Sequence, residues 1–142
     1  MGKDEQILSF RRVHWTRSRD AHLLLNIPMH ELGIMESAVD AALREARAHQ
    51  ASRIHRMVLR IGTLSGVEPD SLRFAFDVVT EGTAAAGAKL EVVSVPARAW
   101  CAACAQEFGV ESGFIYVCPH CGRLSGEVRQ GHEMELSRLE MS

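Results

Sequence analysis

The sequence predicts an α+β fold. A three-stranded, mostly antiparallel sheet carries two helices on one face, and a four-cysteine ribbon is inserted between the last two strands. Three observations predict it. Two segments carry apolar residues at helical spacing, and three shorter ones alternate apolar and polar side chains. All four cysteines fall in two C-x-x-C pairs. At 142 residues, 46% apolar and 24% charged, the chain has room for one ordinary domain and a small satellite.

Residues 1–28 set Lys3, Arg11, Arg12, Arg17 and Arg19 against Asp4, Glu5 and Asp20, with weak hydrophobic periodicity. They read as a leader that is disordered or absent from the mature protein, with Met29 as the natural start. The acids argue against a transit peptide, and Leu23-Leu24-Leu25 is too short for a signal-peptide core. No stretch reaches the length of a membrane helix, so the expected location is the cytoplasm, with no membrane partner.

From Leu32 onward, Leu32, Met35, Val39, Ala42, Leu43 and Ala46 form one helical stripe, which fades at His49-Gln50-Ala51-Ser52. Ile54 to Ile61 alternates as a half-buried strand that Gly62 ends, and Thr63–Val67 reads as a loop. Glu68-Pro69-Asp70 opens a second helix, with proline suited to the first turn and acids at the positive end of the dipole. Leu72, Ala75, Phe76 and Val79 are its buried stripe, Phe74 lies off that stripe at an edge, and Thr80-Glu81-Gly82-Thr83 closes it. Lys89 to Val95 is the next strand, stopped by Pro96, and His132 to Leu139 is the last. The predicted domains are an α/β domain of residues 29–97 and 126–142 and a ribbon domain of residues 98–125.

The ribbon is defined by Cys101-Ala102-Ala103-Cys104 and Cys118-Pro119-His120-Cys121, thirteen residues apart. Each pair bends the backbone so that two thiolates face one centre, and two such bends make a tetrahedral sulfur cage. Zinc suits that cage best, because it imposes no geometric preference of its own. Iron in a rubredoxin-like cage is the rival, since its ligands are the same. Disulfides would need an oxidising compartment. Four protein ligands leave no open position, so the zinc is structural, held by Cys101, Cys104, Cys118 and Cys121. His120, within a four-cysteine knuckle, is expected to face solvent. Phe108 and Phe114-Ile115-Tyr116-Val117 would supply the apolar core around the metal.

Composition excludes several classes. The formal net charge is −2, and the ribbon sets Arg98 and Arg123 against Glu107, Glu111 and Glu127, so it lacks a basic face for phosphates and no nucleic-acid partner is expected. There is no Gly-rich phosphate loop, no G-x-S-x-G around Ser65 and no defensible triad, so the chain does not read as an enzyme. A zinc-ribbon nucleic-acid or protein-binding module is the alternative reading.

Five blocks carry a resemblance. They are Met29-His30-Glu31-Leu32-Gly33-Ile34-Met35-Glu36-Ser37, Leu59-Arg60-Ile61-Gly62-Thr63-Leu64-Ser65-Gly66-Val67, Leu72-Arg73-Phe74-Ala75-Phe76, Glu81-Gly82-Thr83, and the stretch from Val95-Pro96-Ala97-Arg98-Ala99 into the cysteine pairs. In that order, from Met29 to about Glu140, the chain resembles the hydrogenase nickel-incorporation metallochaperones of the HypA/HybF family. The resemblance implies a non-enzymatic carrier that binds nickel and hands it to the precursor of the nickel–iron hydrogenase large subunit. It implies action with a GTPase accessory protein and, in some organisms, with urease accessory proteins. It also implies a structural zinc module. The expected state is a monomer or a weak homodimer.

The family's nickel ligand, the histidine after the initiator methionine, maps onto His30. An N-terminal amine, the next peptide nitrogens and that imidazole can form fused chelate rings of the square-planar kind that Ni(II) favours. The implied nickel set is therefore Met29, His30 and Glu31, the last through its backbone nitrogen or its carboxylate. Glu68 stands where some members offer a further carboxylate. Because Pro28 precedes Met29, the Met29 nitrogen in this chain is an amide, which must lose a proton before it ligates. His14 and His22 are candidate substitutes in that setting, though they read first as solvated histidines.

Overall fold

In the computed structural model, which describes residues 8–13, 29–110 and 116–142, the first helix, α1, runs over Met29–Ala48. It begins three residues before its apolar stripe. The first turn of a helix needs no buried face, and its four N–H groups have no intrahelical acceptor, so hydrophobic spacing does not mark it. The other end is marked chemically. Gln50 takes a left-handed φ of 58°, the Gln50 N–H bonds the Arg47 carbonyl at 3.1 Å, and the Ala51 N–H bonds the Ala46 carbonyl at 2.8 Å. That is the Schellman closure, with glutamine where glycine usually sits.

Strand β2 (Ile54–Gly62) follows, then helix α2 (Pro69–Thr80), with Glu68 as its N-cap and Pro69 in the first turn. Thr80, buried, donates its hydroxyl to the Phe76 carbonyl at 2.6 Å. Strand β3 (Lys89–Val95) leads to the ribbon strands β4 (Arg98–Cys101), β5 (Gln106–Gly109) and β6 (Glu127–Gln130), and β7 (Met134–Met141) returns. A further strand, β1 (Leu8–Val13), lies within the leader and pairs antiparallel with β7, Leu8 opposite Met141 and Val13 opposite Leu136. The main sheet is thus four-stranded, in the order β1-β7-β2-β3, where periodicity predicts three strands. The stretch LSFRRV alternates too briefly, and carries too much charge, to announce itself as a strand. The remainder of the leader lies outside the described residues.

The chain divides into two compact units. Unit 1 is made of the described residues of Met1–Leu59, Val67–Val92 and Glu135–Ser142. In it α1 packs along α2, and the buried core comprises Ile34, Met35 and Val39 of α1, Leu72 and Phe76 of α2, Ile54, Met57 and Leu59 of β2, and Leu136, Leu139 and Met141 of β7. Among the described residues no helix is long and apolar enough to cross a membrane.

Unit 2 comprises Arg60–Gly66 and Val93–Met134. Its three-stranded sheet has the order β5-β4-β6, with β4 antiparallel to both neighbours. The Thr63–Val67 stretch, read from sequence as a plain loop, is for the most part woven into this unit. The Thr63 N–H bonds the Val95 carbonyl at 3.0 Å, the Leu64 N–H bonds the Gly131 carbonyl at 2.8 Å, and the Thr63 hydroxyl accepts from the Ala97 N–H at 3.0 Å. Gly62 donates to the Glu133 carbonyl at 2.8 Å and lies so close to Gly131 that a Cβ on it would overlap the Gly131 carbonyl. Gly131 itself has φ 126°, and a Cβ there would stand 2.8 Å from the Ala97 Cα. Only glycine meets both demands.

Candidate metal centre

Strand β4 ends at Cys101, and a turn through Ala102, Ala103, Cys104 and Ala105 reverses the chain into β5. Ala105 takes the left-handed φ of 51° that the reversal requires. The second turn is closed by the Cys118 N–H on the Arg123 carbonyl and the Gly122 N–H on the Cys118 carbonyl, both at 2.9 Å, with Gly122 at φ 73°. A bridge between Val117 and Leu124 seals its base. The two turns bring four sulfurs together. Every Sγ lies within 4.8 Å of the others, with Cys101 to Cys121 at 3.5 Å and Cys104 to Cys118 at 3.9 Å.

Those distances test the cage. Four sulfurs at about 2.3 Å from a central ion stand about 3.8 Å from one another, whereas a disulfide requires about 2.05 Å. The cluster therefore has the dimensions of a tetrathiolate metal site. Cys101 and Cys118 are buried, and with Ala99 and Phe108 they form the apolar centre of unit 2. Tyr116 packs against it as expected, Val117 does not and stands 45% exposed, and Phe114 and Ile115 lie outside the described residues. His120 is exposed and belongs to no ligand group among the described residues.

The thiols are not equivalent. The hydrogen bond of Cys104 to the Cys121 sulfur, reinforced by burial, pushes the Cys104 thiol up to about 12. At Cys118 burial acts upward, but the backbone N–H groups of Cys121 and His120 outweigh it and hold the thiol down at about 6. Near neutrality a metal-free cluster thus carries a thiolate at Cys118 and a proton at Cys104, and an incoming cation must displace that proton.

The other predicted ligands occupy the first turn of α1, in unit 1. His30 is half-buried. Glu31 is only 6% exposed, and its Oε1 accepts the backbone N–H of Glu68 at 3.1 Å. The Glu68 carboxylate in turn accepts the Asp70 N–H at 3.4 Å. Two carboxylates therefore neutralise orphan donors where α2 begins, the end at which negative charge is favoured. Sequence reasoning found the acids at the start of α2 but missed the capping role of Glu68 and the Glu31–Glu68 link. Residue type does not distinguish a buried glutamate from a solvated one. His14 and His22 lie outside the described residues.

The HypA family, described as hydrogenase/urease nickel incorporation, metallochaperone, matches residues 29–141. The hydrogenase maturation factor HypA of Acidithiobacillus ferrooxidans is 42% identical over 113 residues, 80% of this chain and 99% of the relative. Its counterpart from Chloroflexus aggregans is 40% identical over 112 residues, 79% of this chain and 98% of the relative. The solution structure of the nickel metallochaperone HypA from Helicobacter pylori superposes with a TM-score of 0.56 at 27% identity, covering 78% of this chain and 96% of that one. A second solution structure of a HypA protein gives 0.60 at 29% identity, covering 80% and 97%. With its metal-site cysteines, its α+β architecture and these relatives, the chain belongs to the HypA family of nickel-incorporation metallochaperones, which serves hydrogenase maturation.

Proposed function

We propose that the protein binds Ni(II) at the first turn of α1 and delivers it to the nickel–iron hydrogenase large-subunit precursor, with zinc in the four-cysteine cluster as a structural ion. The observation that carries this reading is where α1 begins. Helix geometry leaves the backbone nitrogens of Met29, His30 and Glu31 without intrahelical acceptors, beside the His30 imidazole. Nitrogen donors in that arrangement suit square-planar Ni(II). With Oε1 of its carboxylate accepting the Glu68 N–H, Glu31 is assigned to the nickel set through its backbone nitrogen, which has no intrahelical acceptor.

The protein acts as a carrier and not a catalyst, with a GTPase accessory protein as partner and urease accessory proteins as further recipients where urease is present. The nucleic-acid alternative has little support in the ribbon. Arg98 is paired with Glu107 at 3.0 Å, and Arg129 is paired with Glu127 at 3.3 Å while lying over the Trp100 ring.

The test is a calorimetric Ni(II) titration with zinc content measured in parallel. His30→Ala abolishes nickel binding and leaves one zinc per chain and the fold intact. The same titration on a polypeptide beginning at Met29, whose nitrogen is then an amine, gives tighter binding than on the full chain. Unchanged nickel affinity in His30→Ala would sink the proposal, and a coloured protein with one iron per chain would replace zinc by iron in the cluster.

A further inference from the structure

Helix α2 leaves one face uncovered. Phe74 is 64% exposed and Val78 is 52% exposed, and among the described residues of unit 1 they are the only large apolar side chains so placed. They stand four residues apart, so they form a single ridge. Asp70, Asp77 and Glu81 follow the same spacing and lie along that ridge, all exposed. Arg73, the basic residue of α2, donates to the Leu90 carbonyl at 3.3 Å. Helix chemistry sharpens the contrast. The carboxyl end of a helix favours cations, yet the last turn of α2 has no basic residue, and Asp77 and Glu81 sit there instead.

We infer that this face of α2 docks a partner protein through a cationic, apolar-anchored segment. Exposed phenylalanine is the kind of side chain that anchors interfaces, and the ring of acids selects a basic rim around the complementary pocket. The same acids argue against the other occupants. An anionic lipid surface would be repelled, and a second copy docking face to face would bring both sets of acids together. The inference rests on α2 alone and is independent of where nickel binds.

The experiment uses the full chain and two labelled helical peptides, one of leucine and lysine and one of leucine and glutamate, read by fluorescence anisotropy with amide shifts to map the footprint. The lysine peptide binds and shifts α2 resonances, and the glutamate peptide does not bind. Phe74→Ser weakens the lysine peptide about tenfold or more, as expected for loss of an anchor. In the double variant Asp77→Lys with Glu81→Lys the preference reverses, and the glutamate peptide binds instead. Circular dichroism checks that the variants, all at exposed positions, keep their helices, and nickel and zinc stoichiometry stay unchanged. The inference is overturned by lysine-peptide binding that ignores Phe74→Ser, or by an equal response to both peptides. Self-association or binding to anionic vesicles that Phe74→Ser abolishes would overturn it as well, by naming a different occupant.

Discussion

A single buried carboxylate illustrates what one residue decides. Glu31 satisfies the N–H of Glu68 from a neighbouring helix. Glu31→Ala leaves that donor with its partner removed and costs about 1–3 kcal/mol in urea denaturation, whereas Glu31→Gln, which keeps an acceptor oxygen, costs less. The cysteines carry the pH dependence. Cys118 is held below the usual thiol range, so its thiolate contributes above that range and is lost as pH falls through about 6. The apparent zinc affinity, followed with a chromophoric chelator, therefore falls as the solution is acidified, and falls more steeply below about pH 6, where binding must displace a proton from Cys118 as well. Calorimetry in buffers of different ionisation heat detects the proton that Cys104 gives up on zinc binding. These four side chains were legible in the sequence because ligand spacing is itself the chemical requirement. Glu31 was legible only as an acid near a helix start, since its burial depends on a neighbour 37 residues away.

At the level of elements, periodicity reported what is buried and missed what is held by backbone alone. The stripes of α1 and α2 were read correctly because Met35, Val39, Ala42, Leu72 and Phe76 meet the core. The first turn of α1 was missed, and with it the helical setting of Met29 and His30, because a terminal turn has no apolar signature. Strand β1 was missed for the corresponding reason, its short alternation being interrupted by Arg11 and Arg12. The end of α1 offers a test of local backbone chemistry. Gln50 occupies a left-handed position that glycine adopts freely, so Gln50→Gly raises stability by about 0.5–1 kcal/mol, measured as a shift in urea midpoint at constant slope.

For the molecule as a whole, the chain divides into two units, and each is assembled from segments far apart in the sequence. The ribbon cysteines announced a second unit. That Arg60–Gly66 belongs to it was invisible, because the bonds responsible link the backbones of Gly62 and Leu64, and the backbone and hydroxyl of Thr63, to partners more than thirty residues away. Those bonds all lie within unit 2. Gly62→Ala forces a methyl into the Gly131 peptide and lowers stability by roughly 2 kcal/mol or more, with a thermal scan as the measurement. Most overcrowded interiors can be repaired by trimming a nearby side chain. Between Gly62 and Gly131 there is none to trim, so a genetic selection for suppressors of Gly62→Ala should return glycine at the same codon and seldom a second-site change.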